Sequence, residues 1–141
     1  MFKESDTSFI RWVTETSLLP SRERDRILLI LTLSYIELLA NCLLKENGIG
    51  GSSNLKGKVD KLLHHNLIDT ELHQLIQSFR EIRNRAAHEP FFRLKQSDVA
   101  NFPSYWSKPE YFEHACKGLC GSLWNRHAAL FDRVFGTLPG A

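Results

Sequence analysis

The chain has 141 residues, of which 43% are hydrophobic and 24% are charged, a composition typical of one compact globular domain. Its 18 Lys and Arg residues against 16 Asp and Glu residues leave a formal net charge of +2, so bulk charge does not indicate a polybasic surface for nucleic acid. Any contact with nucleic acid must therefore be local. We expect a single domain over residues 1–141.

Cysteine usage and the N-terminus predict a cytoplasmic protein. The chain has three cysteines, an odd number, and is long enough to bury a core without disulfides. The segment Met1–Asp6 lacks the basic region and apolar core of a secretory signal. The strongly apolar segment Ile27–Leu44 contains four polar residues, Glu37 among them, and is interpreted as a buried helix. We expect no association with a membrane.

Hydrophobic spacing is helical along nearly the whole chain, and no alternating apolar–polar run bounded by turn residues indicates a strand. The first predicted helix begins after Ser5 or Asp6 and ends before Pro20, because proline disfavours helical geometry at the residue before it. Ser21 caps a long second helix, which Asn47-Gly48 ends.

Two further helices follow a glycine-rich connection over Gly48–Ser53. Ser53 or Asn54 caps the third helix, and Asp69 caps the fourth, which Pro90 closes. The fourth helix repeats apolar residues at spacings of three and four: Leu72, Leu75, Ile76, Phe79, Ile82 and Ala86.

The stretch Glu89–Lys108 shows no sustained period, and a connection of this length often has a function or local order of its own. Pro109 suits the first turn of a last helix, which Gly136 ends. Short loops favour antiparallel neighbours. The sequence thus predicts an all-α fold, an antiparallel bundle of about five helices.

The end of the fourth helix holds the most informative residues. Leu72, Ile76, Phe79 and Arg83 follow steps of four, three and four, which assigns Arg83 to the buried face. A guanidinium there must reach an edge, pair with a carboxylate or face a cleft that binds an anion. On the opposite, solvent-facing row, the spacing of Glu81 and Arg85 is that of a surface ion pair.

His88 lies five residues after Arg83, about 140° around an ideal helix, so the two side chains do not share a face. Two routes would bring them together. The helix loosens from Ala87 to Glu89 because of Pro90, or the segment meets its copy in another subunit. The helix dipole favours a cation at this end.

Within this helix end, the segment Arg83-Asn84-Arg85-Ala86-Ala87-His88 resembles the signature of HEPN domains (higher eukaryotes and prokaryotes nucleotide-binding). Upstream, Lys58–Leu62, Asn66–Asp69 and Leu75 look like the branch of that fold containing mannitol-repressor-like proteins. The resemblance extends over residues 27–90.

The resemblance implies a HEPN-like helical domain that forms a homodimer, in which two such segments line a shared cleft and cleave RNA without a metal or other cofactor. Arg83 would hold the scissile phosphate, His88 would move protons, and Asn84 would orient one of them. In the mannitol-repressor-like branch the same helix end can serve without catalysis.

Cations and aromatic rings around this segment are further candidates. Aromatic residues interleaved with cations can stack bases and hold phosphates, and on this ground we predict RNA-binding roles for Arg80, Arg85, Phe92, Arg93 and Lys95. The alternative is that the rings pin a long loop onto the bundle.

Glu37 of the long helix either pairs with Arg83 or Arg80 in the cleft or belongs to a solvated stripe. Cys116 and Cys120 lie one helical turn apart without the usual spacing of a zinc site, which favours core packing. We predict no metal site.

Two functions remain open. The first is a homodimeric, metal-independent endoribonuclease in defence, including toxin–antitoxin systems with a cognate protein partner, in stress response or in RNA-level regulation. The alternative is a non-catalytic dimeric regulator or adaptor that binds a protein partner or an anionic ligand. A sequence-reading DNA repressor is disfavoured, because no helix-turn-helix pair with a basic recognition helix is visible.

Overall fold

Helices form the regular structure of residues 21–52 and 54–136, the ranges that the computed structural model describes, and no strand occurs within them. The all-α prediction is therefore confirmed. The first predicted helix, before Pro20, lies outside these ranges. The helices are α1 (Ser21–Glu46), α2 (Leu55–His64), α3 (Thr70–His88), α4 (Gln96–Val99), α5 (Phe112–Arg126) and α6 (Ala128–Phe135), with 3₁₀ helices at Ser104–Trp106 and Pro109–Tyr111.

The long helix α1 is the centre of the bundle. It packs against α2, α3 and α5, because its inner positions are apolar and fully buried: Leu28, Leu29, Leu33, Ile36, Leu39, Ala40 and Leu43. By length and composition its segment Glu23–Glu46 could cross a membrane, but half of the most apolar window is buried inside the bundle. Core helices pass the same test of length and composition.

Side-chain caps set where α2 and α3 begin. Oδ1 of Asn54 accepts a hydrogen bond from the backbone N–H of Gly57 at 2.8 Å, and Oδ1 of Asp69 accepts one from Leu72 at 2.8 Å. Each cap satisfies an N–H group that a helix start leaves without a partner. The predicted cap at Asp69 is confirmed, and Asn54 caps α2; Ser53 lies outside the described ranges.

Aromatic burial orders the stretch that lacks a helical period. The Phe92 side chain is fully buried and Phe102 is nearly so, and the Phe102 ring stacks on Phe79 of α3 with a centroid distance of 5.0 Å. The stretch also forms α4 and a 3₁₀ helix. It therefore has local order of its own and is anchored to the core by its rings.

The prediction of a single last helix between Pro109 and Gly136 is wrong, because the helix is interrupted at His127. There the backbone leaves helical geometry (φ −134°, ψ 35°), and Nε2 of the ring donates a hydrogen bond to the carbonyl oxygen of Leu67 at 2.7 Å. This contact, sixty positions away along the chain, separates α5 from α6.

We predict that Gly118→Ala destabilises the fold. A Cβ atom at position 118 of α5 would lie 1.9 Å from Cζ2 of Trp106, so the ring or the helix must move. The free energy of unfolding should fall by about 1–3 kcal/mol, the usual cost of overpacking, in urea denaturation. Gly121→Ala in the same helix is the control, because its Cβ would meet nothing within 4 Å and alanine favours helix by about 1 kcal/mol. Equal effects of the two substitutions would contradict this account of Trp106.

Asp25 is a buried carboxylate on α1. The residue is 7% exposed, and Nε of Arg24 lies 3.6 Å from its Oδ1, beyond hydrogen-bond reach. No group of the described residues donates a hydrogen bond to that oxygen. Burial raises the pKa of Asp25 above its ordinary value of 3.8, against a smaller lowering by Arg24, so folding disfavours the charged form.

The raised pKa predicts the sign of a pH dependence. The unfolded chain loses the Asp25 proton at lower pH than the folded chain does, so this residue costs stability as pH rises from about 3.8 through the folded pKa. Asp25→Asn removes that cost. The free energy of unfolding of the variant, followed by urea denaturation from pH 3 to 8, should exceed that of the wild type increasingly above pH 4. A variant that loses stability with rising pH as the wild type does would contradict the assignment.

Candidate functional site

Arg83, Asn84 and His88 lie at the C-terminal end of α3. The helix is regular through His88, and Glu89 is the first residue with extended backbone (φ −105°, ψ 112°), as expected for a residue that precedes proline. The predicted loosening from Ala87 is therefore wrong, because the effect of Pro90 is confined to Glu89.

The regular helix keeps the side chains of Arg83 and His88 on different faces, about 140° apart. Arg83 is half-buried, whereas Asn84 and His88 are exposed. The buried positions of this last part of the helix belong to Ile82 and Ala86, so Arg83 lies at the edge of the core, one of the three outcomes expected for a guanidinium on the buried face. Of the two routes that would bring Arg83 and His88 together, pairing with a second copy of the chain remains.

Glu37 does not pair with either predicted arginine. Its Oε2 lies 2.6 Å from Nζ of Lys58, because α2 packs directly on α1. Nε of Arg80 donates instead to Oε1 of Gln77 at 2.7 Å. Within the described ranges no carboxylate forms an ion pair with Arg83.

Arg26 of α1 closes the end of α3, a role that the sequence did not indicate. Its guanidinium donates hydrogen bonds to the carbonyl oxygens of Ala86 and, at 3.1 Å, of Glu89. The last carbonyls of a helix have no partner within the helix and carry partial negative charge, so a cation here stabilises the helix end. The signal is absent from local sequence because the acceptors are backbone atoms at least sixty residues away.

Arg85 is held by the loop that follows α3, and the prediction that it faces solvent and pairs with Glu81 is wrong. It pairs with the carboxylate of Glu89 at 3.1 Å and forms a close ion pair with Asp98. Its guanidinium also lies over the Phe92 ring, 4.7 Å from the centroid. Because these acceptors all lie in the segment after α3, we infer that Arg85 holds the loop against the helix.

The remaining RNA-binding candidates divide by exposure. Phe92 is fully buried, so its ring cannot stack on a base and that prediction is wrong. Arg93 and Lys95 are exposed. The neighbouring Phe91 is 78% exposed. The sequence does not show which of the two adjacent phenylalanines is buried, because the geometry of the turn decides which side chain points inward.

A groove of about 720 Å³ runs along another part of α3. Among the described residues that line it there are two carboxylates and no lysine or arginine, a lining that disfavours a phosphate, and the candidate residues at the helix end are not among them. Its walls are formed by Glu71, His73, Gln74, Leu75, Gln77, Ser78, Glu81, Asn101, Phe102 and Pro103.

The cysteines are core residues. Cys42, Cys116 and Cys120 are buried and form no disulfide, and burial raises the pKa of the Cys116 thiol to about 12. A thiol that stays protonated at neutral pH is a poor nucleophile and metal ligand. No group of three or more His, Cys, Asp or Glu side chains among the described residues could hold a metal ion.

A comparison with protein families assigns part of the chain to a family. Residues 31–103 match a family described as "Domain of unknown function (DUF4145)". The matched region runs from α1 to the loop after α4. It contains Arg83, Asn84 and His88, whereas Arg26 lies before it. No curated protein and no solved structure matches the chain.

We predict that Arg85→Ala lowers the free energy of unfolding by about 2 kcal/mol, because it leaves Asp98 without its ion-pair partner in a partly buried position. Urea denaturation measures the loss. Arg93→Ala is the matched control, since this neighbouring arginine is exposed. An Arg85→Ala protein as stable as the control would show that Arg85 does not tie the loop to the helix.

Proposed function

We infer the function of this chain from its site, because the chain belongs to a family, DUF4145, described as a domain of unknown function. We propose that it is a HEPN-like, metal-independent endoribonuclease that acts as a homodimer in defence, stress response or RNA-level regulation. The observation that supports this most is the end of α3, where Arg83 and His88 flank the exposed Asn84. Arg26 hydrogen-bonds the last carbonyl groups of this helix, and Arg85 pairs with carboxylates of the following loop. Arg83 is therefore not needed for either contact.

The chemistry requires a fixed cation and a group that titrates near pH 7. In RNA cleavage the 2′-oxygen attacks phosphorus, its proton passes to a base, and the leaving 5′-oxygen receives a proton from an acid. His88 would move these protons, Arg83 would stabilise the charge that develops on the phosphate, and Asn84 would orient one of the two.

Two copies of the chain are part of the proposal. One α3 presents Arg83 and His88 about 140° apart, which does not suit a single phosphodiester. A twofold arrangement would set Arg83 of one copy beside His88 of the other and provide two imidazoles, one to accept a proton and one to donate it.

The alternative function is a dimeric regulator or adaptor that binds a protein partner. The groove along α3 favours it, because two carboxylates and several amides there suit a basic segment of a partner. In this case Arg83 and His88 would contact an anion without catalysis.

Incubation of the purified protein with mixed RNA in the presence of a chelator tests the enzyme. Cleavage should fall at least about a hundredfold in His88→Ala, the usual contribution of a general acid or base, and comparably in Arg83→Ala. His114→Ala, which alters an exposed histidine of α5, is the matched control and should cleave normally. RNA left intact over a broad excess of protein would exclude the nuclease and favour the regulator.

A further inference from the structure

The groove along α3 lies on a different part of this helix from the candidate site. One wall is formed by residues of α3 at helical spacings of three and four: Glu71, Gln74, Ser78 and Glu81. The other wall is the segment from Asn101 to Pro103. The volume between the two walls, about 720 Å³, is that of an ordinary ligand site.

Core contacts hold the second wall in place. The Phe102 side chain is 5% exposed, and its ring stacks on Phe79 of α3 with a centroid distance of 5.0 Å. Its backbone N–H donates to the carbonyl oxygen of Val99 at 3.0 Å. Asn101 and Pro103 flank this buried ring and are therefore held beside α3. A ligand meets a preformed surface, so binding does not require this segment to become ordered.

The charge that the groove offers to a ligand is negative. Glu71 and Glu81 are exposed, and neither forms an ion pair with any residue that the structure describes. Arg85, the cation spaced to reach Glu81, pairs with carboxylates of the following loop instead. The groove is therefore complementary to a ligand with two separated positive charges.

Amide side chains distinguish two kinds of cationic ligand. Gln74 and Asn101 are exposed, and each amide has N–H donors as well as a carbonyl acceptor. A linear polyamine has donors only and would leave the amide N–H groups without an acceptor. A peptide backbone presents both C=O and N–H groups. The lining therefore favours a peptide segment.

Helix geometry sets the spacing of the two cations. Glu71 and Glu81 are ten positions apart in the chain, which is about 15 Å along the axis of α3. Four residues of extended chain span about 14 Å, and the long side chains of lysine or arginine cover the remainder. Because side chains alternate along an extended chain, cations four positions apart point the same way, as does the residue midway between them.

An apolar surface lies between the two carboxylates. Leu75 falls between Glu71 and Glu81 along α3, and Pro103 adds apolar surface from the opposite wall. Both are half-buried, so part of each side chain still contacts water. An apolar side chain midway between the two cations of a ligand would cover this surface, and the burial would stabilise the complex.

We propose that the groove binds an extended segment of a partner protein in which two cations, four positions apart, flank an apolar residue. The cations pair with Glu71 and Glu81, the apolar side chain packs on Leu75, and the amides of the groove hydrogen-bond the backbone. This docking site goes beyond the proposed nuclease, because no candidate residue of the helix end is among the described residues that line the groove. It also specifies the kind of segment that the alternative regulator would bind.

The test uses a designed, fluorescein-labelled peptide as the probe. Two arginines lie four positions apart in it, with a leucine midway and serines at the two remaining positions. A first comparison peptide has the same composition with the arginines adjacent, and a second has serine in place of the leucine. Binding is measured by fluorescence anisotropy at low salt, where exposed charges are screened least.

Four proteins are compared: the wild type, Glu71→Gln, Glu81→Gln and Glu110→Gln. Glu110 is the matched control, because it is an exposed carboxylate of a 3₁₀ helix and is not among the described residues of the groove. Glu71 also lies in the first turn of α3, where a carboxylate stabilises the helix. Glu81→Gln is therefore the decisive variant, and its melting temperature should be unchanged.

The wild type should bind the patterned peptide more tightly than either comparison peptide. Glu71→Gln and Glu81→Gln should each weaken this binding about threefold, the usual scale for one exposed ion pair. Glu110→Gln should bind as the wild type does. The preference for the patterned peptide over the peptide with adjacent arginines should shrink in Glu81→Gln, because one of the two separated charges is gone.

Four results would overturn the docking site. Equal binding of the two arginine arrangements would indicate a diffuse acidic surface only. Equal losses in Glu81→Gln and Glu110→Gln would exclude a specific role for the groove, and so would the absence of binding to the wild type. A linear tetraamine that binds more tightly than the peptide and depends on both Glu71 and Glu81 would indicate a site for a small polycation instead.

The outcome is separable from that of the cleavage assay. Peptide binding that depends on Glu81, together with uncut RNA, would refute the nuclease alone. Cleavage that depends on His88, without binding of the patterned peptide, would refute the docking site alone.

Discussion

The candidate site depends on how the C-terminal end of α3 is closed. The last carbonyl groups of a helix need donors from elsewhere, and Pro90 cannot provide a backbone N–H. Arg26 supplies two hydrogen bonds from the central helix. This contact joins α1 to the exact point at which α3 becomes a turn, so the position of His88 and of the turn is set by the core of the bundle.

The arginines at the end of α3 differ in what they contact. Arg26 and Arg85 both lie over the Phe92 ring, with guanidinium carbons 6.0 and 4.7 Å from its centroid. The attraction between a cation and the face of an aromatic ring stabilises both contacts. Arg26 also donates hydrogen bonds to backbone carbonyl groups, and Arg85 also pairs with two carboxylates. Arg83, two residues before Arg85, has no such carboxylate among the described residues, and this difference is what makes it the better candidate for contact with a ligand.

Local sequence was sufficient for features whose cause is local. The period of apolar residues predicts α3, the side chain of Asp69 predicts its start, and Pro90 predicts its end. The buried positions of Cys116 and Cys120 also follow from the spacing of apolar residues along α5. Each of these features depends on neighbours within a few positions, so a single sequence contains the necessary information.

Features decided by distant contacts were not predictable in the same way. The break at His127 depends on the carbonyl oxygen of Leu67, and the closure by Arg26 depends on carbonyls beyond position 85. The choice between Phe91 and Phe92 follows from the direction of a turn. Spacing alone also did not decide among the three outcomes expected for Arg83, which lies at the edge of the core because Ile82 and Ala86 occupy the buried positions there.

These contacts also bear on the proposed dimer. A twofold axis near the end of α3 would bring two copies of Arg83 together, and like charges at close range repel each other. An RNA phosphate between the copies would remove that repulsion, so binding of RNA and pairing of subunits would stabilise each other by mass action. In the proposed enzyme, assembly of the cleft and capture of its substrate are therefore linked, because the cations that repel one another in the empty cleft are the groups that bind the phosphate.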